Sequence, residues 1–280
     1  MLLLYLWLFF ISMEENLFEL ENLSFLYLDK FSALYDITMQ INKGQSIAIL
    51  GANGSGKSTL LHILNGLIYP QKGTARAFGR VLNQNAFDDE KFRRYFRSRV
   101  GLLFQNPDAQ LFSPTVEEEL YFGPLQLDLP LGEAKNKIEE VCRLLDIKKI
   151  LARAPYQLSI GEKKKVAIAS ILAIEPDIML LDEPSAGLDP RTNRELIDLI
   201  MEYHEQGKTI ITATHDLHLV SEIATHIYIL DEQRTIAASG KASDILVNQD
   251  LLLKHNLMHI HVHKHPDTLH KHPHQHDKKS

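Results

Sequence analysis

The sequence predicts an α/β fold: a parallel sheet flanked by helices, with β-rich ends and a helical insertion. Three observations predict it. Short apolar runs at Ser46–Leu50, Ile178–Asp182 and Thr209–Thr214 have the length and content of strands buried in a sheet. Segments with helical spacing of apolar residues separate them, as in alternating βα units. Alternation over Phe18–Tyr27 and Ile37–Ile41 predicts further strands.

Taken in order, the chain begins with an almost wholly apolar run, Met1–Ser12, that holds the only tryptophan, Trp7. This run is shorter than the about 20 residues that span a bilayer. It also lacks the basic start and small-residue cleavage site of a signal peptide. Met13 opens a polar stretch that reads as a natural beginning, so residues 1–12 are expected to be an extension from an upstream start. Asn42–Gly44 is a turn, and Lys57–Leu67 a helix. From about Asp88 to Ala173 the pattern is mostly helical, notably over Gly132–Leu145 and Ser159–Leu172. Pro190 can begin and Gly207 can end a further helix. Ile227–Leu230 and Thr235–Ala238 flank a turn at Asp231–Gln233, and a last helix covers about Lys241–His255. Residues 255–280 hold nine of the fourteen histidines and little apolar content, which predicts disorder. The expected organisation is one unit over residues 13–257, with a helical subdomain at about 88–173 and a histidine-rich tail over 258–280.

Composition excludes several classes. A net charge of −6 argues against nucleic acid as a partner. One cysteine, Cys142, rules out an internal disulfide framework and fits a reducing compartment. No apolar run approaches membrane length, so a membrane role requires partner chains.

Gly51, Ala52, Asn53, Gly54, Ser55, Gly56, Lys57 and Ser58 match G-x-x-x-x-G-K-[ST], with Thr59 following in the predicted helix. A strand precedes the loop and a helix follows it, so backbone N–H groups and the helix N-terminus converge on a phosphate. Lys57 is placed to bridge β- and γ-phosphates and Ser58 to coordinate Mg²⁺. The loop by itself implies only a bound nucleoside triphosphate.

Ile178–Asp182 delivers two carboxylates, Asp182 and Glu183, at a strand tip, where an α/β sheet keeps its ligand site. Asp182 is expected in the Mg²⁺ shell, and Glu183 is expected to polarise the attacking water. His215 ends the run Ile210–Thr214, where a neutral imidazole could bond the γ-phosphate or serve structure alone. Gln105, after Val100–Phe104, carries the same two readings.

These pieces, with Leu158-Ser-Ile-Gly-Glu162 ahead of the Asp182 strand, resemble an ABC-transporter nucleotide-binding subunit over roughly Phe18 to Leu257. The resemblance implies a P-loop NTPase core of the ABC ATPase type, with an antiparallel β subdomain and a helical insertion. It implies ATP and Mg²⁺ as cofactors, Tyr27 stacked on adenine, Gln105 as the Q-loop residue at the metal, Ser185–Asp189 as the D-loop and His215 as the switch histidine. It also implies a second ATPase chain, identical or related, with Ser159 and Gly161 reaching the γ-phosphate held by the partner's loop. One position departs: the third signature residue is usually glycine and here is Ile160. A position requiring φ > 0 would strain it; otherwise it crowds the partner face.

The stretch from Phe104 to Pro124 is similar to the ATPases of energy-coupling factor importers, most of all those for cobalt and nickel. This implies a transmembrane coupling subunit, a substrate-binding membrane subunit and a peripheral place on the cytoplasmic face of the membrane. Vitamin-importing relatives share the same style over Gln105–Phe112. The tail adds a chemical indication: His259, His261, His263 and His265 alternate, as do His270, His272, His274 and His276. Imidazole suits Ni²⁺, Co²⁺, Zn²⁺ and Cu²⁺, so the tail is a candidate metal buffer or sensor. A soluble ATPase of the family acting on ribosomes or DNA would bring a second ATP domain or long coiled coils, and this sequence has neither. A metal-storage protein would leave Glu183 and His215 without purpose.

Overall fold

A computed structural model describes residues 15–265 and 268–274, with side chains described through Met258. In chain order the elements are β1 (Asn16–Tyr27), β2 (Phe31–Asn42), β3 (Ser46–Leu50), α1 (Lys57–Leu64), β4 (Lys72–Ala77), β5 (Arg80–Val81), α2 (Gln84–Asp88), α3 (Glu90–Arg99) and β6 (Val100–Leu103). The insertion contributes α4 (Val116–Gln126), α5 (Leu131–Leu144) and α6 (Ile160–Leu172). Then come β7 (Ile178–Asp182), α7 (Pro190–Glu205), β8 (Thr209–Thr214), α8 (Leu217–Ile223), β9 (His226–Leu230), β10 (Ile236–Lys241), α9 (Ala242–Val247) and α10 (Gln249–Lys254). Strands β11 (His259–His265) and β12 (Thr268–His274) close the described chain.

Two sheets carry the fold. One is four-stranded and antiparallel, in the order β2-β1-β4-β5. The other is six-stranded, in the order β10-β9-β3-β8-β7-β6, parallel except for β10 at its edge. Strands β3, β7 and β8 are buried at every residue, as continuous apolar runs in a doubly covered sheet should be. Their alternate residues feed different cores. Ile178 and Leu180 pack with Leu60 and Leu64 of α1, whereas Met179 and Leu181 pack with Val166 and Ala169 of α6. Ala48 and Leu50 face a third cluster with Leu217, Val220 and Leu257.

Several elements differ from the sequence-based expectation. The first helix stops at Leu64, because Gly66 at φ 65° lets Leu67 N–H return to the His62 carbonyl at 2.9 Å. Strand β4 carries no clear sequence signal: opposite β1 it turns only the small Ala75 and Ala77 inward. The insertion also contains a strand, β6, within an otherwise helical stretch. The last predicted helix is two, α9 and α10, divided at Asn248, whose side chain caps Leu251 N–H at 3.1 Å.

The tail backbone also departs from the expected disorder. It runs as an antiparallel ribbon with His259 opposite His274, His261 opposite His272 and His263 opposite His270. Strict alternation of residue type is the period of a strand. The side chains of His259, His261, His263, His265, His270, His272 and His274 lie outside the described residues, as do His276 and residues 1–12 entirely.

Candidate nucleotide site

Strand register assembles the site. Leu50 pairs with Thr214, and Asp182 with Ala213, across three adjacent parallel strands. Leu103 of β6 sits beside Leu181. Parallel strands end at one edge of their sheet, so the segments after β3, β6, β7 and β8 meet there. A cavity of about 440 Å³ opens at that edge, lined by Tyr27, Asn53, Gly54, Gly56, Lys57, Ser58, Thr59, Gln105 and Glu183. Its size suits a small-molecule ligand.

The phosphate loop depends on Gly56. It caps α1 in the left-handed region at φ 103°, and a Cβ there would lie 2.3 Å from the Ala33 carbonyl oxygen. Lys57 follows, with its ammonium on the carbonyls of Gly51 at 2.8 Å and Ala52 at 3.2 Å. It also pairs with Glu183 Oε1 at 3.6 Å. Burial lowers the Lys57 pKa, and the charges of Glu183 and Asp182 oppose that. Ser55, within the loop, is buried. Tyr27 stands at the outer wall, 42% exposed, with its hydroxyl 3.3 Å from Thr59 Oγ1.

Asp182 meets the chemical requirement for a hard divalent cation. It is buried, its Oδ1 has no hydrogen-bond partner among the described residues, and the Ser58 hydroxyl bonds it. Burial raises its pKa, and a cation on that orphaned oxygen would reverse the effect. Asp182 and Ser58 therefore fit Mg²⁺, and Gln105 lines the cavity together with Ser58.

Glu183 is the most constrained residue of the site. It has φ 42°, uncommon for a non-glycine residue, and its N–H donates to the Ala213 carbonyl at 2.8 Å. Its carboxylate accepts from Thr214 Oγ1 at 2.9 Å and from His215 Nδ1 at 2.8 Å. Burial alone would raise its pKa, but the His215, Lys57 and Thr214 contacts outweigh that and hold it below the usual glutamate range. An ionised carboxylate at this edge can orient a water and take its proton. His215 thus reaches the site through Glu183.

Ser159 and Gly161 lie elsewhere, in a separate groove with Ile160, Gly187, Asp189 and Thr192. Ser159 caps α6 reciprocally with Glu162: its Oγ accepts from Glu162 N–H at 3.3 Å, and Glu162 Oε2 accepts from Ser159 N–H at 2.8 Å. The Ser159 hydroxyl accepts here and also bonds the Glu162 carboxylate. Ile160 is the first residue of α6, is absent from the positive-φ positions and is 61% exposed. The strain that φ > 0 would bring does not arise; its side chain instead lies beside Gly187.

Sequence reasoning missed Arg234 and Thr214. Arg234 lines the nucleotide cavity from the β9–β10 turn at φ 66°, tied by its carbonyl to Tyr35 N–H at 2.9 Å. A lone arginine in a turn gives no signal of this. Thr214 looked like one more apolar-run residue, but its hydroxyl faces Glu183.

The sequence pattern described as ABC transporter matches residues 34–186. The chain belongs to the ABC transporter family. It is 48% identical over 253 residues to a putative ABC transporter ATP-binding protein of Methanosarcina acetivorans, covering 89% of this chain and 92% of that one. It is 41% identical to the nickel import ATP-binding protein NikO of Rhodobacter capsulatus, covering 86% and 95% of the two chains. It is also 41% identical to the energy-coupling factor transporter ATP-binding protein EcfA of Carboxydothermus hydrogenoformans, covering 85% and 86%. Among solved structures, cbiO1 from Clostridium perfringens, part of the cbiONQ transporter complex, superposes with a TM-score of 0.72 at 33% identity, covering 87% and 96%. The chain is accordingly an ATP-binding, ATP-hydrolysing transporter subunit of the energy-coupling factor kind. Among the described residues no helix is long and apolar enough to cross a membrane.

Proposed function

We propose that this ABC ATPase drives uptake of a divalent metal ion, cobalt or nickel, through separate membrane subunits. The observation that carries the choice of cargo is the tail, with eight histidines in two alternating sets. Similarity to a nickel import ATP-binding protein supports the same reading. The tail buffers or senses the ion and is not its route, which lies in a transmembrane coupling subunit and a substrate-binding membrane subunit. The ATPase sits at the cytoplasmic face.

In this reading Tyr27 holds adenine, and the loop Gly51–Ser58 with Thr59 holds the phosphates. Asp182, Ser58 and Gln105 hold Mg²⁺, which neutralises charge on the phosphate oxygens when bound. Glu183 accepts the proton of a water as its oxygen bonds to the γ-phosphorus and the bond to the β-phosphate oxygen breaks. His215 steadies Glu183 and bonds the γ-phosphate. Ser159 and Gly161 complete the site of a second ATPase chain, identical or related, and ATP-driven closure of the pair moves the membrane subunits.

Vitamin import is the second reading, favoured by the Gln105–Phe112 stretch and by the similarity to EcfA. Uptake in cells carrying the whole operon separates the two. Accumulation of Ni²⁺ or Co²⁺ is expected; normal vitamin uptake without metal accumulation would sink the metal reading.

A further inference from the structure

Three consecutive lysines, Lys163, Lys164 and Lys165, follow the cap of α6. Successive residues of a helix turn by about 100°, so the three project differently. Lys163 bonds Asp108 at 2.6 Å, and Lys165 bonds Glu195 at 2.7 Å, both ordinary ion pairs with exposed carboxylates. Lys164 points inward and is 1% exposed. Its Nζ donates to the main-chain carbonyls of Gln105 at 3.1 Å and Glu183 at 3.5 Å.

Burying an ammonium costs free energy unless its donors are satisfied, and an apolar side chain of like size would fill the slot without that cost. Core packing therefore does not account for a lysine here. Its two acceptors do, because each is the backbone of a residue aimed into the nucleotide cavity. Glu183 sits at φ 42° with its N–H held by the Ala213 carbonyl. Lys164 holds the carbonyl at the other end of the same residue. The direction of the Glu183 carboxylate follows from both ends being fixed. The helix that carries Lys164 is capped by Ser159, the residue that the proposed function sets against a second ATPase chain.

We propose that Lys164 is a positioning residue for ATP hydrolysis, tying the backbones of Gln105 and Glu183 to the helix capped by Ser159. Movement of that helix as two ATPase chains close is passed through the Lys164 ammonium to Glu183. The proposal rests on Glu183 as the hydrolytic base.

The test is steady-state ATPase kinetics of the full-length chain carrying Lys164→Met, Lys164→Gln or Glu183→Gln. Displacing a catalytic group by about 1 Å costs on the order of 100-fold, so Lys164→Met is expected to lower kcat by up to that factor. The KM for ATP stays near native, because no nucleotide contact is lost. Lys164→Gln, whose amide N–H groups can still reach a carbonyl, recovers part of kcat. Native kcat in Lys164→Met overturns the proposal. So does equal loss in the Met and Gln variants with raised KM and lowered melting temperature, or failure of both to fold, since each assigns Lys164 to the core alone. Native turnover in Glu183→Gln overturns the base assignment, whatever Lys164→Met does.

Discussion

His215 Nδ1 lies 2.8 Å from Glu183 Oε1, and the two residues, well apart in sequence, act as one hydrogen-bonded unit at the sheet edge. The carboxylate can only accept, so Nδ1 donates the proton of this bond.

Glu183→Gln keeps the shape and the Thr214 bond but removes the base. Turnover is expected to fall by about 10²–10⁴-fold, the usual worth of a general base. ATP binding persists, and an ATP-bound dimer accumulates on size-exclusion chromatography. Full turnover in this variant would remove Glu183 as the base.

Thr214→Val deletes the hydroxyl that donates to Glu183 Oε2 and accepts from Asp216 N–H at 3.1 Å. A hydrogen bond to a charged group is worth about 1.5–3 kcal/mol. The variant is expected to lower kcat by about tenfold or more, with a KM for ATP near native. An unchanged kcat would show that His215 and Lys57 orient Glu183 without Thr214.

Ile160→Gly tests whether the unusual signature residue matters. Ile160 is helical and solvent-facing, so the glycine relieves no backbone strain. It removes a side chain from the first turn of α6 at a stability cost of up to about 1 kcal/mol. ATPase activity is expected to stay native, measured beside a thermal melt. A marked rise in activity would mean that Ile160 crowds the partner face.

Ending the chain after Leu257 should separate metal binding from hydrolysis. Leu257 is buried in the core with Leu217 and Val220, so the cut keeps every buried member of that cluster and removes only Met258 from those packed against it. The shortened chain is expected to keep its Mg²⁺-dependent ATPase and lose Ni²⁺ binding by calorimetry. Retained Ni²⁺ binding would move the metal site off the tail, and chelation of Mg²⁺ should stop hydrolysis in both chains.

Much of the site was legible because its motifs are local. A strand, a glycine loop and a helix are contiguous over Ser46–Leu64, and β7 ends directly on Asp182 and Glu183. The Ser159 cap with Glu162 also lies within one turn. Residue types at fixed short spacing carry such information without any tertiary contact. The fold class and its main strands were legible for the same reason.

The tertiary structure decided what depends on strand order. The arrangement β9-β3-β8-β7-β6 sets Glu183 against Thr214 and His215, and brings Gln105 and Arg234 to one cavity. It also determined that Lys164 turns inward while Lys163 and Lys165 face acids at the surface, and that Ile160 enters the helix unstrained. None of this follows from period or composition, because crossover pairing joins residues whose neighbours in the chain are unrelated. The sequence by itself determined that this chain grips a triphosphate beside two acids. The sheet order determined which side chains stand around Glu183, since only adjacent parallel strands share an edge.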